Sequence, residues 1–285
     1  RKRLLEYDDV MNKQREIIYT KRKHALFGER ISLDVANMSY DACFDIVNQY
    51  HEQKDFDSYS SDVMRILTIS SPVKEEEFHS KTEDQILKIT FDKCVENYKA
   101  KSLNIASTVL PQIKDVYKNQ SGTYKNIVIP FTDGIKTLQV SADLEESVKS
   151  EGRNISTAIE KGVTLAIIDD FWKEHLREMD DLKQSVQNAV YEQKDPLLIY
   201  KFEAIDLFKS LMSKINKDIV SFLLKASINT GGSKNIEEER AKQEEINIKT
   251  SRASDIPENP QNQHQTSKQQ KIQPIRTEKK IERNA

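Results

Sequence analysis

Two stretches of this sequence carry mostly apolar residues at alternating steps of three and four positions, the spacing that places side chains on one stripe of a helix. The first stripe comprises Leu165, Ile168, Trp172, His175, Met179, Leu182, Val186 and Ala189. The second comprises Ile205, Phe208, Met212, Ile215, Ile219 and Phe222. The pattern predicts two long amphipathic helices between Val163 and Leu224, and the rest of the chain is interpreted around them.

The connection between these two helices is short and ends at Asp195-Pro196. An Asp carboxylate can accept the free N–H groups at a helix start, and Pro suits the first helical position because its missing N–H would have no partner there. The second helix is therefore predicted to begin at Pro196. So short a connection predicts an antiparallel hairpin with facing apolar stripes, and it places Tyr191 near the tip.

The start of the chain has the same helical periodicity. A helix is predicted over residues 1–27, with Gly28 as its stop. Its stripe consists of Leu4, Tyr7, Met11, Gln14 and Ile18. Basic residues lie at both ends of this helix, and the acidic residues between Glu6 and Glu16 interrupt them, which favours a solvated face over contact with anionic lipid or nucleic acid.

The middle of the chain predicts further helices with less regular spacing. Ile31 to Tyr50 is helical in pattern, Lys54 to Ser60 is interpreted as a polar loop, and Ser61 is expected to cap a short helix through Ile69. A longer helix should start near Thr82, and Pro111 should bend or end it because proline lacks the N–H that a helix interior needs.

A β-hairpin is predicted after these helices, near residues 124–141. Tyr124 to Thr132 is rich in β-forming residues, and Ile135 to Ser141 alternates apolar and polar positions. Asp133-Gly134 between them is interpreted as a two-residue hairpin loop, since both residues tolerate positive φ. Residues 145–152 then form a charged connector to the helical hairpin.

Composition and the end of the chain complete the fold class, which is mostly α. Charged residues make up 32% and hydrophobic residues 37% of the chain. From Gly231-Gly232 to Ala285 there is no Phe, Trp, Tyr, Leu, Val or Met, so residues 231–285 are predicted to be a disordered tail. The net charge of −2 gives no support for nucleic-acid binding.

The candidate chemistry within the sequence is limited. No Gly-rich phosphate loop is present, so nucleotide binding by this segment is not expected. The carboxylate-rich stretch around His175 lacks the Glu-x-x-His spacing of di-iron bundles, which favours a hydrogen-bonded core histidine over a metal ligand. Trp172 is interpreted as a core anchor. Cys43 and Cys94 are interpreted as small packed hydrophobes of a reducing compartment.

Two motifs resemble the SecA family of protein translocase motors. Ile168-Asp-Asp-Phe-Trp-Lys-Glu-His-Leu176, followed by Tyr191-Glu-Gln-Lys-Asp-Pro196, is similar to the family's two-helix finger. Leu4-Leu-Glu-Tyr-Asp-Asp-Val-Met-Asn-Lys-Gln-Arg15 resembles the opening of its long scaffold helix. The chain starts at Arg1 rather than Met, and we expect it to be part of a longer protein.

The resemblance implies a domain order and a set of site residues. It divides the chain into a scaffold helix (1–28), a helical wing domain (29–152), the finger with the end of the scaffold (153–230) and the tail (231–285). Tyr191 at the finger tip would contact the moving polypeptide. The residues implied as the core of the finger are Trp172, His175, Met179, Phe208 and Met212.

The resemblance also implies partners and cofactors of the parent protein. ATP and Mg would bind in motor domains upstream, and the finger would enter the SecYEG channel, contact unfolded secretory preproteins and restrain the ATPase domains until the channel is bound. Anionic membrane lipid and a second copy of the parent are further partners that it allows. The location implied is the bacterial cytoplasm at the inner membrane. Zinc is not expected, because the chain carries no cysteine after Pro274, where many family members have a zinc motif.

Two other interpretations of the same pattern stay open at this point. Steps of three and four alone would also permit a non-enzymatic helical adaptor or a coiled-coil module. Binding of nucleic acid through the basic ends of the first helix is weaker, because it requires a strongly salt-dependent affinity that mixed charge disfavours.

Overall fold

The computed structural model describes residues 2–28, 30–120, 125–186 and 195–228. This part of the protein contains eight helices and one small antiparallel sheet, so the predicted mostly α class with one β-hairpin is confirmed. In chain order the elements are α1 (Lys2–Phe27), α2 (Ile31–His51), α3 (Phe56–Leu67), α4 (Glu75–Ser80), α5 (Glu83–Gln120), β1 (Asn126–Thr132), β2 (Thr137–Asp143), α6 (Leu144–Lys149), α7 (Arg153–Ser185), α8 (Pro196–Lys225) and β3 (Ser227–Ile228).

The first helix ends where the sequence predicted. Gly28 adopts a φ of +70° and donates its N–H to the carbonyl of His24 at 2.9 Å, which closes the last turn. A residue with a Cβ would be strained at this φ, so glycine is the suitable residue for this helix end.

The predicted start of the third helix is wrong. We expected a polar loop to Ser60 and a cap at Ser61, but α3 already begins at Phe56. Asp55 caps it, because its Oδ1 accepts the N–H of Ser58 at 3.0 Å. Among the residues that suggested a loop, Asp57 is exposed and Ser58 and Ser60 are half-buried, while Tyr59 is fully buried.

The sequence predicted that Pro111 would bend or end its helix, and the prediction that it ends the helix is wrong. The helix continues through it to Gln120. A proline in a helix interior costs about 3 kcal/mol. Val109 and Ile113 on either side of it are buried, and their packing holds the helix together across this position.

The predicted β-hairpin is confirmed, but its loop is longer than expected. Thr132 pairs with Thr137, so four residues rather than two connect β1 and β2. Asp133 Oδ1 accepts the N–H groups of Ile135 at 2.9 Å and Lys136 at 2.7 Å. The aspartate therefore organises a wider turn than the two-residue interpretation allowed.

A third strand completes the sheet in the order β2-β1-β3. Phe131 pairs with Ile228 and Thr132 with Ser227 in an antiparallel ladder. The sequence did not predict this strand, which lies at the end of the segment 153–230 that was interpreted as helical. The prediction of a charged connector over residues 145–152 was also incomplete, because helix α6 occupies most of this segment. Asp143 caps α6 by accepting the N–H of Glu146 at 2.9 Å.

One large apolar core joins the wing elements to the base of the helical hairpin. Its buried side chains come from all eight helices and from β1 and β2, with Phe78 as the contribution of α4, and Ile228 of β3 packs against them. Cys43 on α2 and Cys94 on α5 are buried, unbridged members of this core. Removal of this apolar surface from water is what holds the helices together.

Several predictions fall outside the described residues. They concern Tyr191 and Ala189 near the hairpin tip and the predicted tail over 231–285. The division into four domains also stays a prediction.

Candidate functional site

The helical hairpin formed by α7 and α8 is the candidate site. Asp195 Oδ1 accepts the N–H of Leu197 at 3.1 Å, and Pro196 is the first residue of α8, as predicted. Met179 near the end of α7 packs in one cluster with Tyr200 near the start of α8. The two helices are therefore antiparallel.

The predicted finger-core residues on α7 all lie in the hairpin interior. Trp172, His175 and Met179 are buried. The ring of His175 lies 5.5 Å from that of Trp172 and 5.9 Å from that of Phe208. Phe208 and Met212 on α8 are half-buried and pack against the main core. The structure thus brings these five residues to the interior side of the hairpin, and their functional role stays a prediction.

The predicted stripe on α8 is wrong at its first position. Ile205 is 49% exposed, whereas Ala204 is fully buried. Counting back from Phe208, a step of three and a step of four fit the helical period equally well. The residue four positions before Phe208, Ala204, is the one that faces inward. Ile205 instead lies with Leu198 and Phe202 on an exposed apolar face.

A buried polar link connects α1 to both helices of the hairpin. Gln14 Nε2 donates to the carbonyl of Ala204 on α8 at 2.9 Å. Gln14 Oε1 lies 2.9 Å from His175 Nε2 on α7. Because the amide nitrogen faces the carbonyl, the amide oxygen faces the ring, and His175 Nε2 must carry the proton.

His175 is held in the neutral form by its surroundings. Burial lowers the pKa of its imidazole from the usual 6.5, while the nearby Glu178 carboxylate opposes this and Lys214 adds to it. The second ring nitrogen, Nδ1, has no hydrogen-bond partner, and Glu178 Oε2 lies 3.8 Å from it. His175 is therefore a core histidine in which Nε2 is hydrogen-bonded and Nδ1 is not.

Further contacts attach α1 along the hairpin. The rings of Tyr7 and Tyr200 lie 4.7 Å apart, and Lys201 Nζ donates to Glu6 Oε2 at 3.0 Å. Burial raises the pKa of the Tyr200 hydroxyl to about 12, so it stays protonated.

An ion pair joins α1 to α7 on the C-terminal side of Gln14, whereas the Tyr7 and Glu6 contacts lie on its N-terminal side. Arg22 holds Asp169 through two bonds, Nε to Oδ1 at 2.7 Å and Nη2 to Oδ2 at 2.9 Å. Both side chains are substantially exposed, so the pair adds little to stability, typically below about 1 kcal/mol.

Polar contacts also join α2 of the wing to α8. Asp45 on α2 accepts a hydrogen bond from Ser213 and lies 3.3 Å from Lys217 Nζ. Asn216 Nδ2 donates to Asp41 Oδ2 at 3.0 Å. Burial raises the pKa of the Asp41 carboxyl. These contacts fix α8 against the wing at the half of the helix nearer its C-terminus.

The C-terminal end of α8 is capped by side chains of α5 and of the residue that follows α3. Lys101 Nζ on α5 donates to the carbonyl of Leu224, and Thr68 Oγ1, which donates to the carbonyl of Leu67 at 2.7 Å, lies 3.4 Å from the same Leu224 oxygen. Burial lowers the pKa of Lys101 to about 8. A cation at a helix C-terminus is favourable because the last carbonyls carry partial negative charge.

A second buried polar cluster joins α2, α5 and α7. Glu160 accepts hydrogen bonds from Tyr98 Oη at 2.6 Å and from Ser32 Oγ at 3.0 Å. Burial raises the pKa of the Glu160 carboxyl despite these two donors. No cation pairs with it among the ion pairs of the described residues.

Gln14 is the residue that sequence reasoning missed as a site residue, although a signal was present. It lies on the otherwise apolar stripe of the first helix. A polar side chain on such a stripe must find a buried partner. The partners, Ala204 and His175, are far away in sequence, so the pattern alone did not identify them.

Two negative observations bear on the chemistry. In the part of the chain that the structure describes, no group of three or more His, Cys, Asp or Glu side chains is arranged to hold a metal ion. None of the described helices combines the length and apolarity needed to cross a bilayer.

Comparisons with known proteins give a consistent result. The sequence model of the family described as SecA Wing and Scaffold domain matches residues 1–227. Curated relatives named protein translocase subunit SecA include one from Flavobacterium psychrophilum, 48% identical over 228 residues, which are 80% of this chain and 20% of the relative.

Other relatives carry the same name. The protein of Christiangramia forsetii is 46% identical over 257 residues, covering 90% of this chain and 23% of its own length. That of Bacteroides thetaiotaomicron is 41% identical over 297 residues, covering all of this chain and 26% of its own length. The chain thus spans about a quarter of the length of these relatives. A family match over most of the chain, with a scaffold helix packed on a two-helix hairpin, leads to one conclusion: this chain belongs to the SecA family and corresponds to its wing and scaffold part.

Proposed function

We propose that this chain is the wing, scaffold and finger part of an ATP-driven preprotein translocase. It couples ATP hydrolysis in motor domains outside this chain to the movement of secretory proteins through the SecYEG channel. The family match over residues 1–227 is the observation that carries the proposal. ATP and Mg belong to those motor domains, and the protein acts at the cytoplasmic face of the inner membrane.

The packing of α1 supports a coupling role. One helix of 26 residues, about 39 Å long at 1.5 Å per residue, contacts both helices of the hairpin. A displacement of α1 is therefore passed to the hairpin only if their packed surfaces do not slide. The finger core around Trp172, His175 and Met179, with Phe208 and Met212 on α8, supplies that stiffness.

Tyr191 is the proposed contact with the preprotein. Its ring can press on any apolar side chain or backbone segment, and its hydroxyl can exchange hydrogen bonds with water or peptide groups. Such a contact needs no particular substrate sequence. Anionic lipid and a second copy of the parent protein are further proposed partners.

A chimera tests the proposal. Residues 1–227 of this chain replace the matched segment of the Flavobacterium psychrophilum relative, and the product is incubated with vesicles that contain the channel, a secretory preprotein and ATP. We expect ATP-dependent uptake of the preprotein into the vesicles. The unmodified relative is the positive control, and a chimera that lacks residues 163–224 is the negative control. A folded chimera that hydrolyses ATP without uptake would contradict the proposal.

A further inference from the structure

Gln14 makes two opposite hydrogen bonds from one buried position. Its side chain is 5% exposed on the apolar stripe of α1. The amide N–H donates to the carbonyl of Ala204, and the amide oxygen accepts from His175 Nε2, both at 2.9 Å. One residue of the long helix thus binds both helices of the hairpin at the same level.

These two bonds are sensitive to position along the helix axis in a way that apolar packing is not. A slip of one residue moves a helical group by about 1.5 Å along the axis and rotates it by about 100°. A hydrogen bond weakens steeply with such changes in distance and angle. Burial of apolar surface is non-directional, so side chains such as Met11 and Ile18 favour a buried stripe but define the exact axial position less sharply than a hydrogen bond does.

The partner on α7 is itself fixed. The His175 ring is fully buried between the rings of Trp172 and Phe208. Its Nδ1 faces the Glu178 carboxylate at 3.8 Å and makes no hydrogen bond. The partner on α8 is a backbone carbonyl, which cannot change rotamer. The geometry at Gln14 is therefore set by two groups that do not adjust.

We propose that Gln14 is a positioning residue that locks the axial register of α1 against both helices of the hairpin. The lock itself is a property of this chain. Its consequence, that axial displacement of the long helix moves the hairpin instead of being lost in sliding, rests on the proposed function.

The first experiment measures the axial position of α1 relative to α8 in the full 285-residue chain. Spin labels are attached at Lys13→Cys on α1 and Ser210→Cys on α8, both exposed positions, with the buried Cys43 and Cys94 replaced by alanine. The Gln14→Leu variant keeps the approximate volume of the side chain but removes both hydrogen bonds. We expect the distance distribution to broaden or to shift by about the rise of one residue, 1.5 Å.

A matched control separates the lock from general loosening of α1. The Arg22→Ala variant removes an exposed bond between α1 and α7, one of the two helix pairs that Gln14 links, and should leave the distribution unchanged. If Gln14→Leu gives the same distribution as Arg22→Ala, packing alone sets the register and the proposal is wrong.

A spectroscopic measurement on the unsubstituted chain does not depend on how a variant folds. In ¹⁵N-histidine spectra at neutral pH, His175 should carry its proton on Nε2 and none on Nδ1. A neutral ring with its proton on Nδ1 and none on Nε2 would overturn the assignment of Gln14 as the acceptor of His175.

The exchange variant Gln14→His with His175→Gln places the same two groups on opposite helices and should restore part of the narrow distance distribution.

A transport measurement distinguishes this inference from the proposed function. In the chimera, Gln14→Leu should lower the preprotein transported per ATP by roughly fivefold or more, the scale expected for two lost buried bonds, while Arg22→Ala should not. If Gln14→Leu transports with the normal yield, the coupling role fails and the proposed function stands. If the unsubstituted chimera does not transport, the proposed function and the coupling consequence fail together, and the distance measurement alone decides the lock.

Discussion

The two ends of the hairpin are held by different physical means. At the base, Ile168, Ile215, Ile219 and Phe222 belong to the large core shared with the sheet and the wing helices. Toward residues 187–194, the buried cluster is small and consists of Met179, Val186, Tyr200 and Ala204. The base therefore gains stability from burial on many sides, and the distal half depends on α1.

The difference has a consequence for how each end responds to change. Apolar burial at the base is large and non-directional, so its loss affects the stability of the whole fold. In the distal half, the Gln14 link and the Tyr7–Tyr200 ring contact are few and specific. Loss of one of them should affect alignment and local opening more than global stability.

The largest expected effect is at the base. Phe222→Ala removes a buried ring that lies 5.8 Å from the ring of Phe131 in the sheet. We expect the free energy of unfolding to fall by about 3–5 kcal/mol. Urea denaturation checks this. The matched control on the same helix is Phe202→Ala, where a side chain 62% exposed is removed and a change within about 0.5 kcal/mol is expected.

A truncation in the distal cluster should act locally. Met179→Ala opens a cavity among Val186, Tyr200 and Ala204, and we expect a cost of about 2 kcal/mol. Hydrogen exchange should show faster exchange at the end of α7 while the base near Ile215 keeps its protection. Equal loss of protection at both ends would show that the two regions are not distinct. Met64→Ala, at an exposed position, serves as the control.

The pH dependence of stability should report the junction at His175. Burial lowers the pKa of the folded imidazole from 6.5, so the unfolded chain binds more protons as the pH falls through 6.5. The contribution to stability is full above pH 6.5 and is lost as the pH falls toward the folded pKa. Compared with His175→Gln, the native chain should lose more stability over this range, because only its unfolded state takes up the additional proton. Parallel stability curves for the two proteins would contradict the buried, neutral state.

The smallest expected effect is at Glu160, on the first half of α7. Burial raises the pKa of its carboxyl above 4.5, so its contribution to stability is present below pH 4.5 and is lost as the pH rises through the folded pKa. Glu160→Gln can still accept the Tyr98 hydrogen bond without a buried charge. We expect it to stabilise the fold by up to about 1 kcal/mol at pH 8 and to have less effect at pH 4. Thermal unfolding at both pH values would detect this, and a destabilised variant at pH 8 would refute it.

The sequence predicted the features that depend on neighbouring residues. The start of α8 follows from Asp195 and Pro196, and the end of α1 follows from Gly28, because each is a local backbone requirement. The hairpin of β1 and β2 also follows from local alternation. These features were correct because no distant contact opposes them.

The features that were missed depend on distant contacts. The strand β3 forms because Ile228 pairs with Phe131 of β1. The helix α5 continues through Pro111 because Val109 before it and Ile113 after it are buried. The choice of Ala204 over Ile205 as the inward residue is likewise made by α1. Sequence periodicity contains none of these partners, and the partners of Gln14 were hidden for the same reason.

The measurement that tests the account most directly is photo-crosslinking from position 191 in the chimera. A photoreactive amino acid replaces Tyr191, a preprotein is stalled in the channel, and the same substitution at Tyr40, an exposed aromatic residue on α2, serves as the control. The account predicts a crosslink to the preprotein from position 191 and none from position 40. Crosslinks from position 191 only within the chain itself would contradict the finger as the contact that moves the preprotein.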